Sequence, residues 1–575
     1  SGMRRLAAVS YLPAAIALSG SRRHSALDPL AGQFLTALWR LDPESAIAAG
    51  KYDTAASLRI PDAAGRAEQL AFAEAWLARL NKLDARQLSP RQRIDHALLS
   101  NKLNGDRWRL GALREFEWNP ALYNVAGPIE RILHTEYAAQ PQRLRTLLRR
   151  IADVPAYYAA ARTSIVNPTR EHTRLAIAQN AGAVQLLGEL ERVAQASILS
   201  PTEKQLYTQR TGAARAAVDA YVAWLGELDN GVDNGKNDAR SFRLGKELYE
   251  QKFAYELQSG ASGAQTYQKA QTARDLLLAE MGALADELWS KTMGEAPQPS
   301  DRNEKIGKVI EQLSARHVAR ADFLPEIRRQ IPLLRDWVNS RQLLSLDPKL
   351  TPVVRETPPH QRGLAFTALD ASGPYRPQGR SYYNITPLDA EPPEQAEAKL
   401  REYNQWTLPL STMHDTIPGL YAQRSYANRS LSVVKAVFGG AAMRDGWAVY
   451  GERMMLESGY GENTPEMRLM AAKRQLRAIT DALLDYGVHA LGMTQEQALE
   501  MLTRQAFQNP REAAEKWRRA QLTSVQPSAG FAGYSEIMEW REQRKQAQGG
   551  QFTPQAFHQQ LLGQGGAPLR LIKEQ

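Results

Sequence analysis

Gln69-Leu70-Ala71-Phe72-Ala73-Glu74-Ala75-Trp76-Leu77-Ala78-Arg79-Leu80 decides the fold class, because its apolar side chains return at helical rather than strand spacing. Leu70, Phe72, Ala75, Trp76, Leu77 and Leu80 form a stripe with polar residues opposite, the pattern of a helix packed on one side. The same periodicity recurs through Leu144 to Ala161, Thr173 to Gln195 and Glu203 to Leu228, with no strand alternation between them. The chain therefore reads as mainly α.

Working outward, Asp229-Asn230-Gly231-Val232-Asp233-Asn234-Gly235-Lys236-Asn237-Asp238 is dense in turn formers and predicts a loop that closes an N-terminal helical lobe over 22–228. Helical periodicity resumes over 239–349, with a turn at Pro297 to Ser300. Residues 350–398 change character. Six prolines between Pro352 and Pro387, then Pro392-Pro393, surround short runs such as Gly363-Leu364-Ala365-Phe366-Thr367 and Tyr382-Tyr383-Asn384-Ile385-Thr386, which predict a small β element edging a cleft. Helices return over 399–575.

Composition narrows the classes. With 575 residues, 43% apolar and 23% charged residues, 11 Trp and 21 Tyr, the chain can bury a large core and is not of disordered type. Its 72 Lys and Arg against 62 Asp and Glu give a net charge of +10, spread along the whole chain. The densest basic stretch, Arg143, Arg145, Arg149 and Arg150 among Leu144, Leu147 and Leu148, reads as a solvated helix face, and no nucleic-acid-binding module accompanies it. The absence of cysteine excludes disulfides, thiolate zinc sites and cysteine nucleophiles. No Gly-x-Ser-x-Gly elbow, phosphate-binding loop or dinucleotide fingerprint is present.

The amino terminus carries an address. After Ser1-Gly2, which reads as a cloning remnant, Arg4-Arg5 and the apolar run Leu6 to Leu18 have the layout of an export signal, too short to span a bilayer. Leu18-Ser19-Gly20-Ser21 resembles a bacterial lipoprotein box with serine in place of the lipidated cysteine. Residues 1–21 thus predict a periplasmic protein or a lipoprotein anchored to the bacterial envelope. A buried N-terminal helix is the competing reading, although Pro13 would interrupt it.

The chemistry centres on His414-Asp415-Thr416-Ile417-Pro418-Gly419-Leu420, followed by Asp445-Gly446-Trp447-Ala448-Val449-Tyr450-Gly451-Glu452. The first stretch resembles the His-Glu-x-x-Pro-Gly-His signature, and the second the Glu-Gly-Trp-Ala-x-Tyr-x-Glu signature, of the bacterial family called domain of unknown function 885. Gly379 to Asn384, Asp485 to Gly492, and Phe557-His558 with Gly565 to Leu569 resemble further family segments in the same order. The resemblance implies a zincin-like helical metallopeptidase scaffold around an internal cleft, often in a lipoprotein, with zinc as the family's metal.

The departures fall at the ligands. Asp415 stands where the family has its base glutamate, Leu420 where it has the second histidine, and Asp445 where it has the ligand glutamate. Leucine offers no lone pair, and aspartate is one methylene short in a site that tolerates only about half an ångström of misplacement. A catalytic zinc is therefore expected to be lost. Near the C-terminus, where the family has an arginine and tyrosine that stabilise an oxyanion, this chain reads Leu522-Thr523, and Tyr534 and Arg541 are the remaining candidates.

Each candidate has two readings. Pro418 cannot donate a backbone bond to the His414 carbonyl, so the helix should kink there, with His414 either lining a pocket or hydrogen-bonded structurally. Asp445 is either a helix N-cap or a pocket residue. His489 follows Asp485 at i+4, so the carboxylate could orient the imidazole for acid–base work, or the pair could tie helices together. His558 reads as structural. The functional expectation is a cleft that has lost its zinc and binds a peptide or small molecule, or supports metal-free chemistry through His414, Asp415 and Asp445. The alternative is a metal-dependent hydrolase with a rearranged site.

Overall fold

The computed structural model describes residues 27–349, 351–358, 362 and 365–575. Residues 1–21, where an export signal and lipoprotein-like box are expected, lie outside the described residues, as do Gly363 and Leu364. The chain is 71% helical with a three-stranded sheet, the mainly α architecture expected from its periodicity.

It divides into two compact units, residues 24–242 and 243–575. In the first, the opening stretch forms the Ala63–Asn81 helix, but its buried face is Ala73, Trp76, Leu77 and Leu80, while Ala75 and Leu70 face solvent. The i, i+3, i+4, i+7 set wins because it subtends one side of the helix. Trp76 and Phe72 then meet Phe34, at ring-centroid separations of 5.4 and 5.8 Å. A separate core gathers Ile132, Leu144, Leu147, Ile151, Tyr158, Leu187, Tyr207, Tyr221 and Leu225 from successive helices.

Two expectations for this unit fail. Arg143 and Arg150 are buried, and only Arg145 and Arg149 of the basic run are exposed. Arg143 donates to the carbonyls of Ala138, Ile132 and Leu133, while Arg150 donates to those of Ala55 and Ser57 and pairs with Glu44 at 2.8 Å. Five N–H donors let one guanidinium satisfy several chain ends at once. The Asp229 stretch is not wholly a loop either. The helix Pro201–Asp233 runs through its first half, held by Arg170, which bonds Asp229 at 2.9 Å and also reaches Asp233.

In the second unit the helices Lys246–Leu257, Gly263–Met293, Arg302–Ser314 and Phe323–Ser340 precede the sheet, and Pro297 to Ser300 lies in the expected interruption. The strands are β1 (Val353–Glu356), β2 (Thr367–Asp370) and β3 (Tyr382–Ile385), in the order β1-β3-β2. β3 pairs parallel with β1 and antiparallel with β2, with Tyr383 opposite Val354 and Leu369. Alternation along β3 sends Tyr383 to the face that meets the site described below.

The Ala441–Glu457 helix crosses the Ala529–Gln548 helix at glycines. A Cβ on Gly446 would lie 2.5 Å from the Gly533 Cα, and one on Gly533 would lie 1.8 Å from the Ala442 carbonyl oxygen. The Gly446 of the Asp-Gly-Trp sequence is therefore required by backbone contact. Among the described residues no helix is long and apolar enough to cross a membrane.

Candidate active site

His414 is the penultimate residue of the Thr407–Asp415 helix, and a new helix starts at Leu420 and runs to Asn428. The chain breaks between them instead of kinking. Pro418 withholds the N–H that would continue the ladder, and the Gly419 N–H bonds back to the Met413 carbonyl at 2.9 Å. Gly419 cannot be replaced by a larger residue without moving backbone, because its Cβ would lie 2.0 Å from the His414 carbonyl oxygen. The Pro418 carbonyl accepts from the Trp447 indole at 2.7 Å, which fixes the break against the Ala441–Glu457 helix.

This turn aims His414 Nδ1 at Glu452 Oε2, 2.9 Å away. The other oxygen of Glu452, Oε1, accepts from Nε of Arg474 on the Pro465–Leu491 helix. Burial works to raise the Glu452 carboxyl, but Arg474 and His414 together outweigh it and hold it below its ordinary value. An ionised carboxylate only accepts, so Nδ1 of His414 is the donor, and in the neutral imidazole Nε2 carries the lone pair. Nε2 has no partner among the described residues, and the side chain retains 25% exposure.

Asp415 is held from the sheet. Its Oδ2 accepts from the Tyr383 hydroxyl at 2.6 Å and from Thr367 Oγ1 at 3.1 Å. Burial first, and then the neighbouring Asp415 charge, keep the Tyr383 phenol well above its ordinary range, so it stays a donor.

Tyr534, on the Ala529–Gln548 helix, is held by the next residue along each of the helices that carry Glu452 and Arg474. Its hydroxyl oxygen accepts from Arg453 Nη1 at 3.1 Å and from Gln475 Nε2 at 2.8 Å. Arg453 and Gln475 are the sequence neighbours of Glu452 and Arg474, so His414 and Tyr534 are organised by adjacent residue pairs. With two donors already on its oxygen, the Tyr534 hydroxyl proton is free to donate elsewhere.

Among the described residues, Asp445, His489 and His558 form no hydrogen bond with this group, whereas Arg541 joins it through Glu457, which also pairs with the Arg453 that holds Tyr534. Asp445 sits within the Ala441–Glu457 helix, whose N-cap is Gly440, so it caps nothing; it pairs with Arg444 at 3.2 Å. It lies two turns before Glu452 on the same helix face. Arg541 pairs with both oxygens of Glu457, each at 3.1 Å, and contacts the Tyr450 hydroxyl at 3.4 Å.

His489 and Asp485 do not bond each other. His489 Nε2 donates to the carbonyls of Ala520 and Thr523 at 2.8 and 2.9 Å, and its Nδ1 accepts from the Leu244 N–H at 3.4 Å. Asp485 accepts from Tyr249, Ser528 and the Val525 N–H. Both groups fasten neighbouring segments to the Pro465–Leu491 helix. His558 bonds the Leu343 carbonyl through Nδ1 and the Tyr450 hydroxyl through Nε2, each at 2.6 Å, and burial depresses its pKa to about 4.

Sequence reasoning missed Glu452, Arg474, Tyr383 and Thr367 as site residues. Glu452 and Tyr383 stood inside quoted motifs, and the seven-residue step from Asp445 to Glu452 was the available signal for two carboxylates on one face.

Zinc can be tested against these donors. His414 keeps Nε2 available and would supply a single ligand, but both oxygens of Glu452 are used, Leu420 has no donor atom, and Asp445 is two turns away. Among the described residues no three His, Asp or Glu side chains converge on one point. The residues do not fit a zinc site of the expected kind.

The family model for a bacterial protein of unknown function, DUF885, matches residues 43–575. A candidate lipoprotein of unknown function from Shewanella oneidensis is 43% identical over 96% of this chain and 99% of its own, with a TM-score of 0.87. A candidate lipoprotein from Colwellia psychrerythraea shares the fold at 17% identity, covering 96% of this chain and 98% of its own with a TM-score of 0.76. No curated protein matches the chain. With the family pattern running through nearly its whole length, including the His414 turn and the Glu452 helix, the chain belongs to the bacterial DUF885 family.

Proposed function

We propose that the protein is an envelope-associated hydrolase of peptides or similar small molecules, built on a metallopeptidase-like scaffold but working through a metal-free acid–base centre at His414. The observation that carries this reading is the His414–Glu452–Arg474 chain. A carboxylate that fixes one imidazole nitrogen as a donor leaves the other as a base, and Arg474 keeps that carboxylate ionised and still. Nε2 takes a proton from water as the water oxygen attacks a carbonyl carbon, and later returns it to the leaving group. Tyr534 donates to the developing oxyanion, the role for which its spare hydroxyl proton suits it. Asp415, with Oδ1 free of partners among the described residues, orients the incoming water. Asp445, Arg541 and His489 have no part in this chemistry. The envelope location is supported by the export-type leader and by the lipoprotein descriptions of the two solved relatives.

The test is a screen of chelator-treated protein against a mixture of blocked and unblocked di- and tripeptides, read by mass spectrometry. Turnover that survives chelation and disappears in His414→Gln supports the reading. Turnover that returns only when zinc is added, or that is unchanged in His414→Gln, overturns it. Selective nitrogen-15 labelling gives an activity-independent check: His414 should show the Nδ1–H tautomer, and Glu452→Gln should abolish that preference.

A further inference from the structure

A cavity of about 350 Å³ lies within the 24–242 unit, between the start of the Arg170–Gln195 helix and the end of the Pro201–Asp233 helix, and shares no residue with the His414 centre. Its volume falls in the range of small-molecule sites, about 300–1,000 Å³. The walls are tied down. The Arg240 N–H bonds the Pro168 carbonyl at 3.4 Å where Thr169 and Arg240 form a parallel bridge, and Asn167 turns the chain just before it at a φ of 51°. At the other helix end Asn237 Nδ2 donates to the Leu228 carbonyl at 3.3 Å, which folds the chain back over Gly231. The fold therefore builds this cavity from two anchored segments.

Some of its polar groups are already committed. Arg170 donates to Asp229 at 2.9 Å and also bonds Asp233, Asp229 accepts from Arg174 at 3.2 Å as well, and the Thr173 hydroxyl is given to the Thr169 carbonyl at 2.6 Å. Lys236 and Asp238 are not. Both line the cavity, yet among the described residues neither forms a hydrogen bond or ion pair through its side chain, with the other or with any neighbour. Exposed charges on a convex loop are ordinarily solvated, but these two face a common cavity. One unmatched ammonium and one unmatched carboxylate, two positions apart on one segment, select a ligand that carries both signs. With Arg170 and Asp229 they make two cations and two carboxylates in the lining, so a net charge of either sign gains nothing from it. Pro168, Leu228 and Val232 supply an apolar patch for an aliphatic group, and no aromatic ring in the lining offers the stacking platform that a nucleobase uses. No histidine lines the cavity and its one hydroxyl is committed, so the site is built to hold a molecule and not to react with it.

We propose that this cavity binds a small zwitterion, an amino acid or dipeptide with an aliphatic side chain, whose carboxylate pairs with Lys236, whose ammonium pairs with Asp238 and whose side chain lies on Pro168, Leu228 and Val232. The site is separate from the centre at His414 and stands whether or not that centre turns over peptides. It gives the first helical unit a binding function of its own.

Calorimetric titration of the full chain at constant ionic strength compares the dipeptide Ala-Leu with its acetylated form, which lacks the ammonium, with its C-terminal amide, which lacks the carboxylate, and with maltose. Losing one charge-assisted hydrogen bond weakens binding roughly tenfold or more, so both blocked peptides should bind at least tenfold less tightly than Ala-Leu. Lys236→Gln should bring Ala-Leu down to the level of its amide, Asp238→Asn should bring it down to the level of the acetylated form, and His414→Gln should change neither. No saturable binding of Ala-Leu, equal binding of the three peptides, tighter binding of maltose, or an affinity unchanged in Lys236→Gln and Asp238→Asn overturns the proposal. Binding that His414→Gln abolishes while both cavity variants keep it assigns the peptide to the His414 centre, which overturns the cavity site and leaves the reading of His414 standing.

Discussion

Glu452→Gln is the most informative perturbation, because it keeps shape and volume while removing one charge from a coupled group. In the folded chain Glu452 and Arg474 retain only 13% and 15% side-chain exposure, so the carboxylate is the main compensation for a largely buried guanidinium. Breaking a fully buried pair from one side costs about 3–5 kcal/mol. The residual exposure and the amide oxygen that still faces Arg474 reduce this to roughly 2 kcal/mol, by the usual difference between charged and neutral hydrogen bonds.

The pH dependence has a definite sign. The folded Glu452 carboxyl lies below its ordinary value, so its contribution is present above the ordinary carboxylate range and is lost as pH falls through the folded value. Urea titrations of wild type and variant at pH 7 should differ by about 2 kcal/mol, and the gap should narrow on acidification. Arg474→Met in the Glu452→Gln background should recover part of the loss, because the uncompensated charge goes with it. A variant within about 0.5 kcal/mol of wild type at pH 7 would refute the buried-pair argument.

Three further outcomes follow from the packing. Gly446→Ala should destabilise by about 1–3 kcal/mol by overpacking against Gly533, although helix propensity alone would favour alanine by roughly 0.5–1 kcal/mol; a thermal melt decides the sign. His558, depressed to about 4, stays neutral while the unfolded chain protonates, so stability should fall as pH drops from about 6.5 toward 4, and His558→Phe should flatten that slope in denaturation midpoints. Asp485→Asn should cost about 1–3 kcal/mol in urea titration, since Tyr249, Ser528 and the Val525 N–H all donate to a group that would then present donors of its own.

The basic run at 143–150 shows the limit of one-dimensional reading. Periodicity placed those arginines on a helix, but whether a guanidinium meets water or the carbonyl ends of other segments depends on what packs above it. Arg150 reaches Ala55 and Ser57 across more than ninety residues of chain. Asp445 and Glu452 show the same limit at the site. Both carboxylates occupy one face of the Ala441–Glu457 helix, and the motif drew attention to Asp445, yet the turn at Pro418 and Gly419 delivers His414 to Glu452.

By itself the sequence determined the helical class, the small β element near residue 380, the family pattern and the absence of a donor atom at Leu420, because spacing and residue chemistry are local properties of the chain. The tertiary structure alone decided that His414 is paired with Glu452, that Arg474 locks that pair, and that Tyr383 and Thr367 reach Asp415 from the sheet. These contacts join residues 22 to 48 positions apart, and their geometry is set by where helices cross. The crossing that carries Glu452 is fixed by the approach of Gly446 to Gly533, which only the packed backbone reveals.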